Sequence, residues 1–347
     1  MELQLPRYIL IGKNVLPEIL EICSDFENPI LITDENVRNI FGDKIKKILN
    51  RKYKNIDEFI VKNSDLENLS KLEQTITNKK IDLGIAFGGG VVIDTTKKAC
   101  SNKKIPYISV PTTASNDAIC SNRAVIKKGE VPYSTEATAP YAVIADISII
   151  ANSPPRLIRA GVGDMIAKMS AISDYLLAGK IKGEKVNEYA ISIASKALDT
   201  VIKNIDEINK GSEKGIEKLV EALIFSGIAM NIDGSSRPAS GSEHEFSHSL
   251  DLICAEAGKQ PALHGEQCAL GTIISLYLHG KDWRKAKRLM KKVGLPTTAK
   301  ELGYDKETIL EALLKSKEMR PERYTIVKHK KIDRKTALKA IEATGIA

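Results

Sequence analysis

The sequence predicts an α/β amino-terminal domain built on a parallel sheet, joined to an all-α carboxyl-terminal domain. Up to about residue 150, short β-branched runs alternate with helical stretches, the pattern of parallel strands covered by helices. Beyond that point the runs vanish, and apolar periodicities of about 3.6 residues take over. The length, 347 residues, suits two cores, since domains mostly hold on the order of 100 to 200 residues. The boundary is expected after residue 152, giving domains of 1–152 and 153–347.

In chain order, the expected strands are PILIT (29–33), DEFIVK (57–62), DLGIAF (82–87), IPYISV (105–110) and YAVIAD (141–146), each a short apolar run. Ser64-Asp65-Leu66-Glu67 has the spacing of a capping box, so a helix is predicted from there to about Asn78. Gly88-Gly89-Gly90 joins the third strand directly to a helix. Ser153-Pro154-Pro155 places a cap residue and prolines at the start of the first helix of the second domain. There, Gly179 to Gly183, Gly211 to Gly215 and Gly294 to Pro296 mark expected helix connections.

Lys and Arg number 52 against 44 Asp and Glu, a net charge of +8, which suits an anionic partner such as nucleic acid or a phosphorylated metabolite. Nucleic acid is not expected. The densest basic runs, RKAKRLMKK (284–292) and KHKKIDRK (328–335), fall on helical patterns with Leu, Met or Ile between the charges, which describes a solvated helix face. No aromatic residues interleave to stack bases. The five cysteines form no C-x-x-C pair, and an odd, scattered set argues for a reducing compartment and buried thiols. MELQLPRYILIGKN has few consecutive apolar residues and no basic leader, so neither a signal peptide nor a membrane span is expected, and the expected location is the cytoplasm. The expected assembly is a homo-oligomer.

Two stretches of the first domain suit a nucleotide. At Gly88-Gly89-Gly90 the backbone can approach a diphosphate closely, and the following helix start supplies free N–H donors. The turn follows about the third strand and is not G-x-G-x-x-G, so it departs from the usual dinucleotide fingerprint. The next strand ends in VPTTASNDAICSN, a hydroxyl-rich loop. Ligands of an open parallel sheet sit beyond the carboxyl ends of its strands, so both stretches would share one crevice. Thr112, Thr113, Ser115 and Ser121 are then candidates to bond a cofactor, and Asp117 to face a hydroxylated substrate. Ordinary glycine and Ser/Asn turns are the plain alternative.

In the second domain three of the five histidines, His244, His248 and His264, fall within RPASGSEHEFSHSLDLICAEAGKQPALHGE. His244 and His248 are spaced i, i+4 and share one helix face. His264 opens the next helix. Imidazoles aimed at one point suit zinc, and a catalytic zinc commonly has three protein ligands and an open position. A surface or internally satisfied histidine pair is the plain alternative.

The ordered series GGGxxxDxxK, PTTASNDAxCS, GVGDMIAK, the paired histidines and HGE resembles the metal-dependent dehydrogenases that include glycerol dehydrogenase and the iron-containing alcohol dehydrogenases, with dehydroquinate synthase more distant. SSRPASGSEHEFSHSLD followed by ALHGEQ is most similar to the archaeal sn-glycerol-1-phosphate dehydrogenases within that group. The resemblance implies a dehydroquinate synthase-like nucleotide-binding domain followed by a helical metal- and substrate-binding domain. Its cofactors would be one Zn2+ per subunit and NAD(H) or NADP(H), and its reaction the reduction of dihydroxyacetone phosphate to sn-glycerol 1-phosphate for ether-lipid synthesis. It matches Gly88, Gly89, Gly90, Val91 and Val92 to the diphosphate turn, and Thr112, Thr113, Ala114, Ser115 and Ser121 to cofactor contacts. Asp117 is matched to a substrate contact, and Asp164, His244 and His264 to the metal ligands. His248 lies near the substrate in this reading, and Asp164 and His248 are the expected catalytic residues.

Asp34, closing PILIT, is placed to bond a ribose 2′-hydroxyl, and Arg38 to accept a 2′-phosphate, so use of both NAD and NADP is expected. Arg237, in the Ser-rich lead-in to His244, is the expected reader of the substrate phosphate, because its planar fork can grip two phosphate oxygens. Rival readings are a glycerol dehydrogenase or other metal-dependent alcohol dehydrogenase, and a dehydroquinate synthase-like lyase, although those synthases resemble a Glu at the position of Asp164. A basic nucleic-acid-binding protein with a structural zinc is a further rival, weakened by the absence of cysteine ligands.

Overall fold

Among the described residues, eight strands lie in the first part of the chain: β1 (Tyr8–Gly12), β2 (Pro29–Thr33), β3 (Asp57–Ile60), β4 (Leu83–Gly88), β5 (Tyr107–Pro111), β6 (Arg123–Lys128), β7 (Val131–Glu136) and β8 (Ala142–Asp146). Six form a parallel sheet in the order β1-β8-β5-β4-β2-β3, and β6 and β7 pair antiparallel. The computed structural model describes residues 3–129 and 131–347. Strands β2, β4, β5 and β8 are buried along their whole length, which is why they read as continuous apolar runs rather than alternating ones. β1 and the β6–β7 hairpin escape the sequence reading. β1 is an edge strand with its first two residues exposed, and the hairpin mixes charged with apolar residues and buries only Ala124 and Ile126.

Helices α1 (Ile19–Ile22), α2 (Glu35–Leu49), α3 (Leu66–Asn78), α4 (Gly90–Lys103) and α5 (Ile147–Ile150) complete this unit. Its core joins Leu16, Leu31, Ile85, Phe87, Ile108 and Ile144. Asp65 caps α3, accepting from Asn68 N at 2.8 Å. The expected cap, Ser64, instead donates to Val125 O at 2.6 Å and ties the hairpin to the unit.

The chain divides between Pro154 and Pro155, beside the boundary expected after residue 152. Among the described residues the second unit is all helical: α6 (Pro155–Lys182), α7 (Glu188–Lys203), α8 (Ile205–Asn209), α9 (Glu213–Asp233), α10 (Ser242–Glu256), α11 (His264–Leu278), α12 (Trp283–Lys292), α13 (Lys306–Lys315), α14 (Ile326–His329) and α15 (Arg334–Thr344). Gly183, Gly211 and Gly294 end helices in the left-handed region, as C-terminal glycines do. Gly179 and Gly215, expected in connections, lie inside α6 and α9. The basic run 284–292 lies in α12, where only Ala286 and Met290 are buried. No helix among the described residues is long and apolar enough to cross a membrane.

α6 and α11 meet backbone to backbone. A β-carbon on Gly163 would lie 2.2 Å from Gly265 O, and one on Gly265 would lie 1.9 Å from Ala160 O, so both residues must be glycine for the helices to cross this closely. Asp164 and His264 each adjoin one of these two glycines.

Candidate functional site

In the first unit, register pairs Thr33 of β2 with Phe87 of β4, and Gly88 of β4 with Pro111 of β5. Asp34, the triglycine turn and Thr112 to Ser115 therefore share one end of the sheet, the end where open parallel sheets hold ligands. A β-carbon on Gly88 would lie 2.6 Å from Val92, so packing explains that glycine. Gly89 and Gly90 differ. An added β-carbon would touch only Thr113 Cγ2 at 3.3 Å or Asn116 Nδ2 at 3.2 Å, and Gly89 has the extended backbone that any residue adopts. Open space over the N-terminus of α4 is what a diphosphate seated on its amides requires. Val91 stands exposed on the first turn, and the buried Thr113 Oγ1 has no hydrogen-bond partner among the described residues.

Two expected cofactor contacts have other roles. Ser121 is buried, donates to Arg123 O (3.2 Å) and accepts from Lys97 Nζ (3.3 Å), so its hydroxyl is held by the chain itself. Lys97, wholly buried, also reaches Asp94 Oδ1 (3.0 Å), Ala118 O (2.9 Å) and Arg123 O (2.7 Å). The D-x-x-K half of GGGxxxDxxK thus pins the loop after β5 to α4. Asp34 caps α2, its Oδ1 accepting from Val37 N at 2.9 Å, and Arg38 pairs with Glu58 at 3.4 Å. Ala114 is buried, and Ser115 and Asp117 are half-buried in the same loop.

In the second unit, Asp164 on α6, His244 and His248 on α10, and His264 on α11 converge. The His244 and His264 rings lie 4.9 Å apart, and His244 Nε2 is 3.8 Å from Asp164 Oδ1. The carboxylate of Glu243 takes His244 Nδ1 at 2.8 Å while also accepting from Gly241 N (2.6 Å) and Ser170 Oγ (2.7 Å). Nδ1 is therefore the protonated nitrogen, and Nε2 faces the cluster with its lone pair. Ser247 donates to Gln267 Oε1 (2.6 Å), which leaves its oxygen to accept from His264 Nδ1 (3.2 Å) and again turns Nε2 to the cluster. Partners of this kind fix the tautomer of a metal-binding imidazole.

Sequence reasoning missed two members of the cluster. Cys268 lies one turn after His264, its Sγ 3.5 Å from His264 Nε2, and its ligand atom lies within 4.8 Å of those of His244 and His264. The i, i+4 spacing was the available signal. Lys168, wholly buried, sits 3.0 Å from Asp164 Oδ1. Carboxylate, two imidazoles and a thiol are the donor types of a transition-metal site.

His248, expected near the substrate, is held by neighbouring side chains. Its Nε2 accepts from Arg320 Nη2 at 3.0 Å, and its ring stacks at 30° on that of His264, 6.3 Å away. Burial, then the charge of Arg320, pushes its pKa well below the usual histidine range. Arg237 departs from expectation. It is buried in a two-pronged pair with Glu184 (2.8 and 2.7 Å) and donates to Tyr324 O (3.1 Å), so Nε and Nη2 are held by the chain itself, while the buried Nη1 has no hydrogen-bond partner among the described residues.

The iron-containing alcohol dehydrogenase family matches residues 10–154. Glycerol dehydrogenase from Schizosaccharomyces pombe superposes with a TM-score of 0.82 over 99% of this chain and 90% of that one at 23% identity, a likeness of fold. A probable glycerol dehydrogenase from Sinorhizobium meliloti gives 0.82 over 99% and 97% at 20% identity. The fold is thus that of the iron-containing alcohol and glycerol dehydrogenases. The NAD(P)+ glycerol-1-phosphate dehydrogenases of Pyrococcus furiosus and Pyrococcus abyssi are each 44% identical to this chain over 99% of both sequences. That of Methanococcoides burtonii is 42% identical over 94% of this chain and 91% of its own. The chain belongs to the glycerol-1-phosphate dehydrogenase family.

Proposed function

We propose that the protein reduces dihydroxyacetone phosphate to sn-glycerol 1-phosphate with NADH or NADPH and one zinc ion per chain, supplying the glycerol backbone of ether lipids. The observation that carries this reading is the cluster of Asp164, His244 and His264, with Glu243 and Ser247 turning both imidazoles inward. The motif order and the 44% identical relatives support it. When bound, the metal would polarise the ketone oxygen as a Lewis acid while the nicotinamide supplies hydride.

The chain's own contribution is placement. Asp164, His244 and His264 would hold the metal, and Gly89 and Gly90 would admit the cofactor diphosphate to the amides of α4. Lys168 balances the buried Asp164 charge, whose desolvation is otherwise costly. His248, bonded through Nε2 to Arg320, would orient that guanidinium.

The test follows NADH and NADPH oxidation with dihydroxyacetone phosphate, dihydroxyacetone and simple aldehydes in parallel, then chiral analysis of the product. Stoichiometric oxidation with dihydroxyacetone phosphate and formation of the sn-1 enantiomer are expected. Turnover with unphosphorylated substrates only would replace this reading by that of a glycerol dehydrogenase.

A further inference from the structure

The segment between α13 and α14 brings two arginines to the edge of the histidine cluster. Arg320 Nη2 reaches His248 Nε2 at 3.0 Å, and its Nη1 reaches Ser240 Oγ at 3.0 Å and Ser236 Oγ at 3.5 Å. Arg323 Nη2 reaches Ser236 Oγ at 2.8 Å, and its Nη1 reaches Ser240 O at 3.1 Å. Both serines are buried in the lead-in to α10. A hydroxyl that accepts from an arginine keeps its own hydrogen to donate.

The charge of Arg323 is balanced less closely than those of its neighbours. Arg237 has Glu184 at 2.7 Å and Lys328 has Glu245 at 2.9 Å. Near Arg323 stands the exposed carboxylate of Glu322, 3.8 Å from Nε and beyond hydrogen-bond reach. Burial, then the charges of Arg320 and Arg237, draws the Arg323 guanidinium down to about 9, the mark of cations crowded together. Crowded cations with spare hydroxyl donors are stabilised by a polyanion, and two guanidinium forks match the several oxygens of a phosphate.

We propose that Arg320 and Arg323, with the hydroxyls of Ser236 and Ser240, grip the phosphate of the substrate, a role the sequence assigned to Arg237. This rests on the ketone phosphate reading above. His248 links the two ends of the site, since its ring stacks on His264 and its Nε2 holds Arg320. A short phosphorylated ketone is then measured between metal and arginines, and an unphosphorylated one leaves the pocket unfilled.

The readout is the ratio of kcat/KM for dihydroxyacetone phosphate to that for dihydroxyacetone. Arg323→Gln is expected to lower it by about 10- to 100-fold, the scale of a lost charge-assisted hydrogen bond. Arg323→Lys keeps the charge and loses the fork, so it should also lower the ratio, and it is read in the same way where the glutamine variant does not fold. In the unsubstituted protein inorganic phosphate should compete with dihydroxyacetone phosphate. A high ratio that survives both substitutions, or phosphate that does not compete, overturns this inference alone. A ratio near one in the unsubstituted protein overturns the ketone phosphate reading and this inference with it.

Discussion

Ser247 does more for the proposed metal than its distance suggests, because its oxygen accepts from His264 Nδ1 only while its hydrogen is given to Gln267. Ser247→Ala removes that partner and frees the ring to choose its tautomer. Metal affinity should fall by about 10- to 100-fold, measured by competition with a chromophoric chelator, with folding intact. His264→Ala should leave little metal bound at all. If Ser247→Ala binds metal as the parent does, the orienting role assigned to Ser247 is wrong. His244, His248 and His264 were legible because they crowd into one stretch of sequence, and Asp164 because its motif resembles a known one. Arg320 and Arg323 were not, since only folding brings them to Ser236 and Ser240, eighty or more positions earlier. The pairing of Arg237 was not legible for the same reason. Its partner Glu184 lies beyond any helical spacing, and an arginine in a serine-rich loop looks unpaired until the carboxylate arrives.

For whole elements, the crossing of α6 and α11 is the tightest constraint in the second unit. Alanine normally favours a helix over glycine by about 0.8–1 kcal/mol. At Gly265 the order should invert: a β-carbon 1.9 Å from Ala160 O must push the helices apart, and Gly265→Ala should cost about 1–3 kcal/mol in denaturant unfolding, as overpacking does. Gly89→Ala should behave oppositely. Its β-carbon meets only Thr113 Cγ2 at 3.3 Å, so the fold should hold while NADH affinity, followed by fluorescence titration, drops by roughly tenfold or more, equivalent to about 1.4 kcal/mol. Unchanged affinity would move the diphosphate elsewhere. The buried strands were legible because burial on both faces leaves uninterrupted apolar runs. β1 and the β6–β7 hairpin were not, because edge and half-buried strands carry a mixed pattern that resembles loop. The helix-start signal at Ser64 to Glu67 was read one residue early, since Ser and Asp both cap and only the contact of Ser64 with Val125 decides between them.

Across the molecule, the two proposed ligand sites draw on separate residue sets, one on each side of the Pro154–Pro155 division. Because the diphosphate contacts assigned to NADH all lie in the first unit, protein stripped of metal by a chelator should keep most of its NADH affinity while losing ketone reduction. A large loss of NADH binding on stripping would show that the sites are coupled. The two-part division was legible because the change from β-branched runs to helical periodicity is a property of long stretches, insensitive to any one residue. One further consequence follows from the sheet order. β1 pairs with β8 alone, and the carboxylate of Asp146, closing β8, accepts from Asn14 N (3.0 Å) and Leu16 N (3.1 Å) just beyond β1. During translation the first strand therefore leaves the ribosome well before its partner, and at roughly 5–20 residues per second the wait is about 7–27 s. Throughout that interval YILIG is an apolar strand with no sheet to join, and a nascent chain halted before Asp146 presents it to holdase chaperones or to other chains.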